Sequence, residues 1–290
     1  MRVMNRLFSI VAGLGLAILA GGAAMAQQVK ETLPIVGEPK PWGTGFQPAA
    51  TEIAEDVQWL DGMVLVIITA IVLFVLALLV IVAVRYRRSV NPAPAGFTHN
   101  SVIEVTWTVV PIVILIFIGA FSLPILIKEL DVPEGDVHIK ITGNQWFWTY
   151  SYPDEGIEFD SLLLGKDELA DYGYTPDKYL LAVDNPVVLP VGKTVVFQTA
   201  GADVIHSWAV PAFGLKLDAI PGRLNELWFT PKKEGVYFGQ CSELCGKDHA
   251  YMPIEVRVVS EEAYKAWLKQ AKEEFAAGNA PRKVAVASAE

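Results

Sequence analysis

A hairpin of two membrane-crossing α-helices leading into an exported all-β sandwich or barrel, itself closed by a short helix, is the architecture these 290 residues imply. Three observations carry that reading. Apolar residues make up 52% of the chain and charged ones only 19%, and the excess is gathered into three runs. Two of the runs are long enough to span hydrocarbon and one is not. Beyond them the texture changes to short alternating segments separated by glycine and proline, as in strands joined by turns. The net charge of −9 opposes nucleic acid and anionic lipid as partners and suits a basic one. Two cysteines are too few for a disulfide scaffold, yet enough for one metal site or one bridge.

The first run covers 7–20, follows Arg2 and Arg6, and gives way to Ala24-Met25-Ala26. As a helix it reaches only about 21 Å at 1.5 Å per residue, short of the roughly 30 Å of a bilayer core. Residues 1–26 therefore read as a secretory signal peptide cleaved before Gln27, rather than as an uncleaved anchor. An N-terminal segment, 27–62, follows. The second run, 63–84, and the third, 105–127, contain no Asp, Glu, Lys, Arg or His. Each reaches about 33 Å or slightly more as a helix, which is enough to cross. The loop between them, 85–104, carries Arg85, Arg87 and Arg88 against the single acid Glu104, so the positive-inside rule puts it in the cytoplasm. Residues 27–62 and everything after 128 then face the periplasm, the side to which a cleaved signal delivers the new N-terminus. With no ionisable group in either span, this chain alone offers no intramembrane proton path. Glu104 completes a capping box with Ser101 at the start of the second span, which is reason enough for its presence.

Strands are expected at 137–141, 194–199, 224–229 and 254–259, with turns marked by Pro153, Pro186, Gly192, Pro221-Gly222 and Gly235. The span 128–259 is long enough for a core of its own. Ser260 then caps a helix, 260–277, whose Ala263, Tyr264, Trp267, Leu268, Ala271 and Phe275 share one face. Gly278 and Pro281 end it, and 278–290 is expected to be a disordered tail.

The soft ligands of the exported portion lie in one stretch, Cys241-Ser242-Glu243-Leu244-Cys245-Gly246-Lys247-Asp248-His249-Ala250-Tyr251-Met252. Thiolate, imidazole and thioether together favour copper: zinc accepts Cys and His but seldom Met, and hard cations want oxygen. A loop, bent at Gly246, gathers donors that a strand would splay. One cysteine would serve a mononuclear copper site, whereas two thiolates can bridge two copper ions, each capped by one imidazole. The second imidazole must then be His99, His138 or His206. His99 falls in the cytoplasmic loop and His138 in a strand near the membrane; His206 follows a strand-like run and is the better candidate. In an oxidising compartment a Cys241–Cys245 disulfide is the rival reading, but it leaves His249 and Met252 without roles. Trp146, Trp148 and Tyr150 fall on one face of an expected strand with Phe147 on the other, a stripe that by itself reads as core.

The pattern Cys-x3-Cys-x3-His-x2-Met, after a His-Ser-Trp strand and behind two membrane helices, resembles subunit II of bacterial haem–copper cytochrome c oxidases. The likeness extends through Gly143-Asn144-Gln145-Trp146-Phe147-Trp148, Val183-Asp184-Asn185, Asp203-Val204-Ile205-His206-Ser207-Trp208 and Asp218-Ala219-Ile220-Pro221-Gly222-Arg223. It implies a cupredoxin-like fold and a binuclear CuA centre, with Cys241 and Cys245 bridging, His206 and His249 as imidazole ligands, and Met252 and the backbone carbonyl of Glu243 as axial ligands. It further implies magnesium on the Glu243 side chain at the interface with the catalytic subunit, which alone holds the haems. Electrons from cytochrome c would enter at Trp146, the cytochrome would dock on Asp160, Asp184 and Asp203, and Glu104 would stand at the cytoplasmic mouth of a proton path through the catalytic subunit. At Ser151 many family members carry a further acid; Asp154, Glu155 and Glu158 stand nearby in this chain. The function implied is to take electrons from cytochrome c and pass them to a haem of the catalytic subunit, where oxygen is reduced and protons are pumped across the bacterial inner membrane. The rival readings are a quinol-oxidase-like structural cap, which has no need of the ligand set, and a disulfide-bonded periplasmic binding or assembly module.

Overall fold

The computed structural model describes residues 33–93 and 95–275. The expected signal peptide and tail, 1–26 and 278–290, lie outside the described residues, as do the helix-ending Gly278 and Pro281. Two compact units emerge: Ile53–Asp131 is helical, and the remaining described residues form a β-domain.

The helical unit consists of α1 (Glu52–Arg85) and α2 (Ser101–Leu130). Both overrun the apolar runs at each end, because hydropathy marks only the greasy part while good helix formers such as Glu, Gln, Leu and Lys continue the backbone beyond it. Residues 52–62, expected in the N-terminal segment, are thus helical. The start of α2 also differs from expectation. Its N-cap is Asn100 rather than Ser101: the Asn100 side chain accepts from the N–H groups of Val102 and Ile103, and Glu104 accepts from the Asn100 N–H at 3.2 Å. Asn caps as well as Ser, and one residue earlier it reaches two orphan donors at once. Pro111 and Pro124 remain inside α2. An Asp56–Lys128 ion pair at 2.7 Å and a Trp59–Phe121 ring contact at 5.7 Å join the start of α1 to the end of α2, so the hairpin is antiparallel. Apolar side chains such as Leu73, Phe74, Leu115 and Ile116 lie exposed along both helices, an arrangement that only lipid or a partner protein makes favourable.

The β-domain is built from two sheets. Strands β2 (Val137–Asn144), β3 (Phe147–Tyr152), β4 (Ile157–Ser161), β6 (Val195–Gly201) and β9 (Asn225–Phe229) form one, in the order β4-β3-β2-β6-β9. The other contains β5 (Val187–Pro190), β7 (His206–Val210), β8 (Leu215–Ala219), β10 (Gly235–Cys241) and β11 (Pro253–Val259), ordered β5-β11-β10-β7-β8. Alternation along the strands aims one face of each sheet inward, and a chain of aromatic contacts joins the two. Phe197 of β6 stacks on Trp208 of β7 and on Phe229 of β9, each at 5.1 Å, and Phe213 continues the chain from Phe229 to Tyr237 of β10. The helix α3 (Glu261–Phe275) begins as expected with the Ser260 hydroxyl accepting from the Ala263 N–H, and its Trp267 and Phe275 pack on Tyr152 and Phe159.

Two features depart from the sequence-based layout. The N-terminal segment is not a separate tether: β1 (Ile35–Gly37) pairs in parallel with β10, Lys178 bonds Glu38 at 2.6 Å, and the Thr51 hydroxyl donates to the Phe213 carbonyl. Three residues are too few to show alternation, and their partner lies far off in sequence. The second feature is β11, buried on both faces. Its Glu255 accepts from Tyr174, from Arg257 and from the Val183 N–H, so the connection between β4 and β5 closes over one face of the strand and satisfies a buried ion pair.

Candidate metal centre

The centre forms where β10 runs out. Cys241 is the last residue of that strand, and the chain then loops through Cys245 and a short turn at His249–Tyr251 before Met252 leads into β11. Gly246 holds a φ of 127°, and a side chain there would press within 3.0 Å of the Trp146 ring, so only glycine lets the loop lie against that tryptophan. The second imidazole comes from β7, which pairs with β10 through Cys241 and Trp208 and thereby places His206 at its near end. Gly143 of β2 makes room: a Cβ at that position would lie 2.8 Å from the imidazole.

The donors converge. The two sulfurs of Cys241 and Cys245 lie 3.9 Å apart, Cys245 Sγ is 3.4 Å from Met252 Sδ and 3.5 Å from His249 Nδ1, and Cys241 Sγ is 3.4 Å from the Glu243 carbonyl oxygen. A ring nitrogen of His206 and both sulfurs lie within 4.8 Å of one another. Cys241, Cys245, Met252 and His206 are buried, while the Glu243 side chain is exposed. Both cysteines are free, with their sulfurs well beyond the roughly 2.05 Å of a disulfide.

Electrostatics make the same point. Burial raises the cost of ionising Cys241, but the nearby His206 imidazole and backbone groups outweigh it and lower its pKa. Burial and the neighbouring Cys241 charge push the Cys245 thiol up. Two thiolates this close are tolerated only around a cation. His206 Nε2 is tied to Asp203 at 2.7 Å, whereas its Nδ1 is buried without a hydrogen-bond partner. A buried ring nitrogen without a partner among soft sulfur donors fits a copper ion and suits a hard cation poorly.

Residues 137–259 match the cytochrome c oxidase subunit II periplasmic domain, and 39–125 match the transmembrane domain of the same subunit. Over 269 residues, 88% of each chain, the sequence is 55% identical to cytochrome c oxidase subunit 2 of Cereibacter sphaeroides. The chain belongs to the cytochrome c oxidase subunit II family. It is also 49% identical over 233 residues to a probable cytochrome c oxidase subunit 2 of Rickettsia bellii, covering 80% of this chain and 85% of that one. The solved periplasmic domain of subunit II of cytochrome oxidase from Bradyrhizobium japonicum is 54% identical, with a TM-score of 0.46 over 50% of this chain and 99% of that one. As a subunit II chain it is part of an oxidoreductase complex with a catalytic subunit, and its helical unit is the membrane-embedded part.

The other residues that the subunit II resemblance singles out are distributed unevenly. Trp146 does not share a strand face with Trp148 and Tyr150: it sits in the turn between β2 and β3, half-buried, because β3 begins at Phe147, one residue after the start of the expected stripe. Its indole N–H donates to the Cys245 carbonyl at 3.3 Å, and Lys247 lies 5.7 Å above its ring. Trp148, which the sequence assigns to packing alone, is fully buried and donates to the Met252 carbonyl. Such a contact between distant segments leaves no trace in spacing. Asp160 accepts from the Thr149 hydroxyl, and Asp184 accepts from the N–H groups of Leu162 and Asn185. Burial raises the Asp184 pKa despite those bonds, with a smaller contribution from the Asp160 charge. Asp203 lies at the centre itself, and Glu104 in the helical unit.

Proposed function

We propose that this chain holds a binuclear CuA centre and is the subunit through which electrons from cytochrome c reach the catalytic haem subunit, where oxygen reduction is coupled to proton pumping. One observation carries the reading: the unpartnered, buried Nδ1 of His206 stands among two free thiols and a thioether. The copper ions would be held by the thiolates of Cys241 and Cys245, the imidazoles of His206 and His249, the Met252 thioether and the Glu243 carbonyl. Copper held by this set supplies reversible one-electron exchange. The protein's part is to fix the ligands beforehand. Gln145 and Trp146 hold the Cys245 carbonyl and Trp148 holds that of Met252, so the loop is braced by side chains from the opposite sheet.

Trp146 is the point at which electrons enter, since its indole bonds the backbone of a ligand residue while its ring reaches the surface. The exposed Glu243 carboxylate binds magnesium at the interface with the catalytic subunit, while its carbonyl faces Cys241. A basic cytochrome c docks on a surface that includes Asp160 and Asp184, drawn by the 24 acids against 15 bases of residues 131–290, whereas Asp203, the third acid of the resemblance, is bonded to His206 and to backbone N–H groups. Glu158 pairs directly across the strands from Ser151, so it restores an acid beside the position where this chain lacks one, whereas Asp154 is engaged by His138 and Glu155 by Lys272. Glu104, in the first turn of α2, marks the cytoplasmic mouth of the catalytic subunit's proton path. The arginines of the connecting loop keep that end cytoplasmic, and the β-domain lies in the periplasm.

Metal analysis with electron paramagnetic resonance on the purified full-length chain tests the centre. Two coppers per chain sharing one unpaired electron are expected. Metal-free protein with Cys241 and Cys245 joined would overturn the reading in favour of a binding or assembly module, and a folded chain that takes up no copper would leave the structural cap.

A further inference from the structure

Asp203 is where the resemblance to subunit II and the geometry part company. Asp203 lies at the surface, with its side chain 33% exposed, yet both oxygens of its carboxylate are bonded within the protein. Oδ1 accepts from the Val204 N–H and pairs with His206 Nε2, and Oδ2 accepts from the Gln145 N–H, all at 2.7 Å.

We infer that Asp203 is a positioning residue of the metal centre, fixing His206 with its proton on Nε2 and its lone pair on Nδ1 turned toward Cys241 and Cys245. The inference rests on the copper-centre reading. A neutral imidazole carries one ring proton, and an ionised carboxylate can only accept. The 2.7 Å contact therefore demands that Nε2 be the donor, leaving Nδ1 as the ligand atom. Two backbone N–H groups prevent the carboxylate from turning away, so ring orientation and tautomer are set together. Gln145 extends the brace: its backbone N–H holds Asp203 while its side-chain amide donates to the Cys245 carbonyl at 2.8 Å. One turn thus links the histidine supplied by β7 to the loop that supplies the thiolates, and that same turn carries Trp146.

The test compares the parent with Asp203→Ala and Asp203→Asn, both as full-length chains and in the assembled oxidase. Asn keeps an acceptor for Nε2–H but loses the charge, which separates positioning from docking. In the Ala variant, copper affinity measured against a competing chelator should fall roughly 10–100-fold, the usual cost of losing such a partner. Its electron paramagnetic resonance and visible spectra should shift, and Asn should lie between Ala and the parent. The salt dependence of cytochrome c oxidation should keep its slope in both. If instead both variants bind copper like the parent with unchanged spectra, while the KM for cytochrome c rises and the salt slope flattens equally, Asp203 is a docking acid and the inference is wrong. Should Ala fail to fold, the Asn variant alone decides between the same two results. A parent chain that binds no copper would refute the copper-centre reading, which is a different result from copper held equally well by parent and variants.

Discussion

Met252 shows how a single side chain can matter to chemistry and hardly at all to folding. It is buried beside Cys245 with its sulfur 3.4 Å away. Met252→Leu conserves volume, so stability should change by less than about 1.5 kcal/mol. The copper spectrum and the rate of electron transfer should both change, because a thioether becomes a hydrocarbon. A spectrum identical to the parent's would remove Met252 from the ligand set. Trp146 makes the complementary case. Trp146→Phe keeps a ring in the turn but removes the N–H bonded to Cys245, one half-buried hydrogen bond of about 1 kcal/mol or less. Slower electron uptake with unchanged cytochrome c binding is the expected outcome in stopped-flow and binding measurements; normal rates would return the residue to a packing role.

At the scale of elements, β11 joins the core to the connection between β4 and β5. Ile254, Val256 and Val258 face one way and Glu255 and Arg257 the other, and all five are buried. Strands that are buried on both faces are usually apolar throughout. This one tolerates charge because Tyr174 and the Val183 N–H complete the ion pair, which ties that connection, and with it Asp184, to the sheet that carries the metal loop. Glu255→Gln leaves Arg257 buried without a counter-charge and should cost about 3–5 kcal/mol in thermal or denaturant unfolding. A loss near zero would mean that Tyr174 alone satisfies the guanidinium. The metal loop depends on its neighbouring elements in a similar way: β7 pairs with its first residue, the β2–β3 turn holds the Cys245 carbonyl and β3 holds that of Met252, so it is over-determined rather than free to adapt.

For the whole molecule the decisive property is the separation of charge from apolarity. The acids concentrate in the β-domain and the long uncharged runs in the helical unit, so under the proposed function the β-domain would meet a soluble electron carrier while the helices stay in lipid. Association with a basic cytochrome c should therefore slow as ionic strength rises and the Debye length shrinks to about 10 Å at 0.1 M. Oxidation rates measured across a salt series at low cytochrome concentration would reveal it. Independence from salt would point to an apolar docking face instead, such as the exposed Leu244 and Tyr251 of the metal loop.

Periodicity and ligand spacing were sufficient for the two helices, the strands at 137–141, 194–199, 224–229 and 254–259, the Ser260-capped helix, and the twelve-residue cluster of soft donors, because each of these is a local pattern. Hydropathy could not locate the true ends of α1 and α2, since a helix continues wherever its backbone bonds can, greasy or not. Contacts between remote segments were equally invisible: β1 against β10, Trp148 on the Met252 carbonyl, and Asp203 committed to His206 rather than to solvent. A chain's order records which donors are present and roughly how far apart they lie along it. Which nitrogen of a histidine faces the sulfurs, and which acid holds it there, is decided only when sheets that are distant in sequence close upon each other.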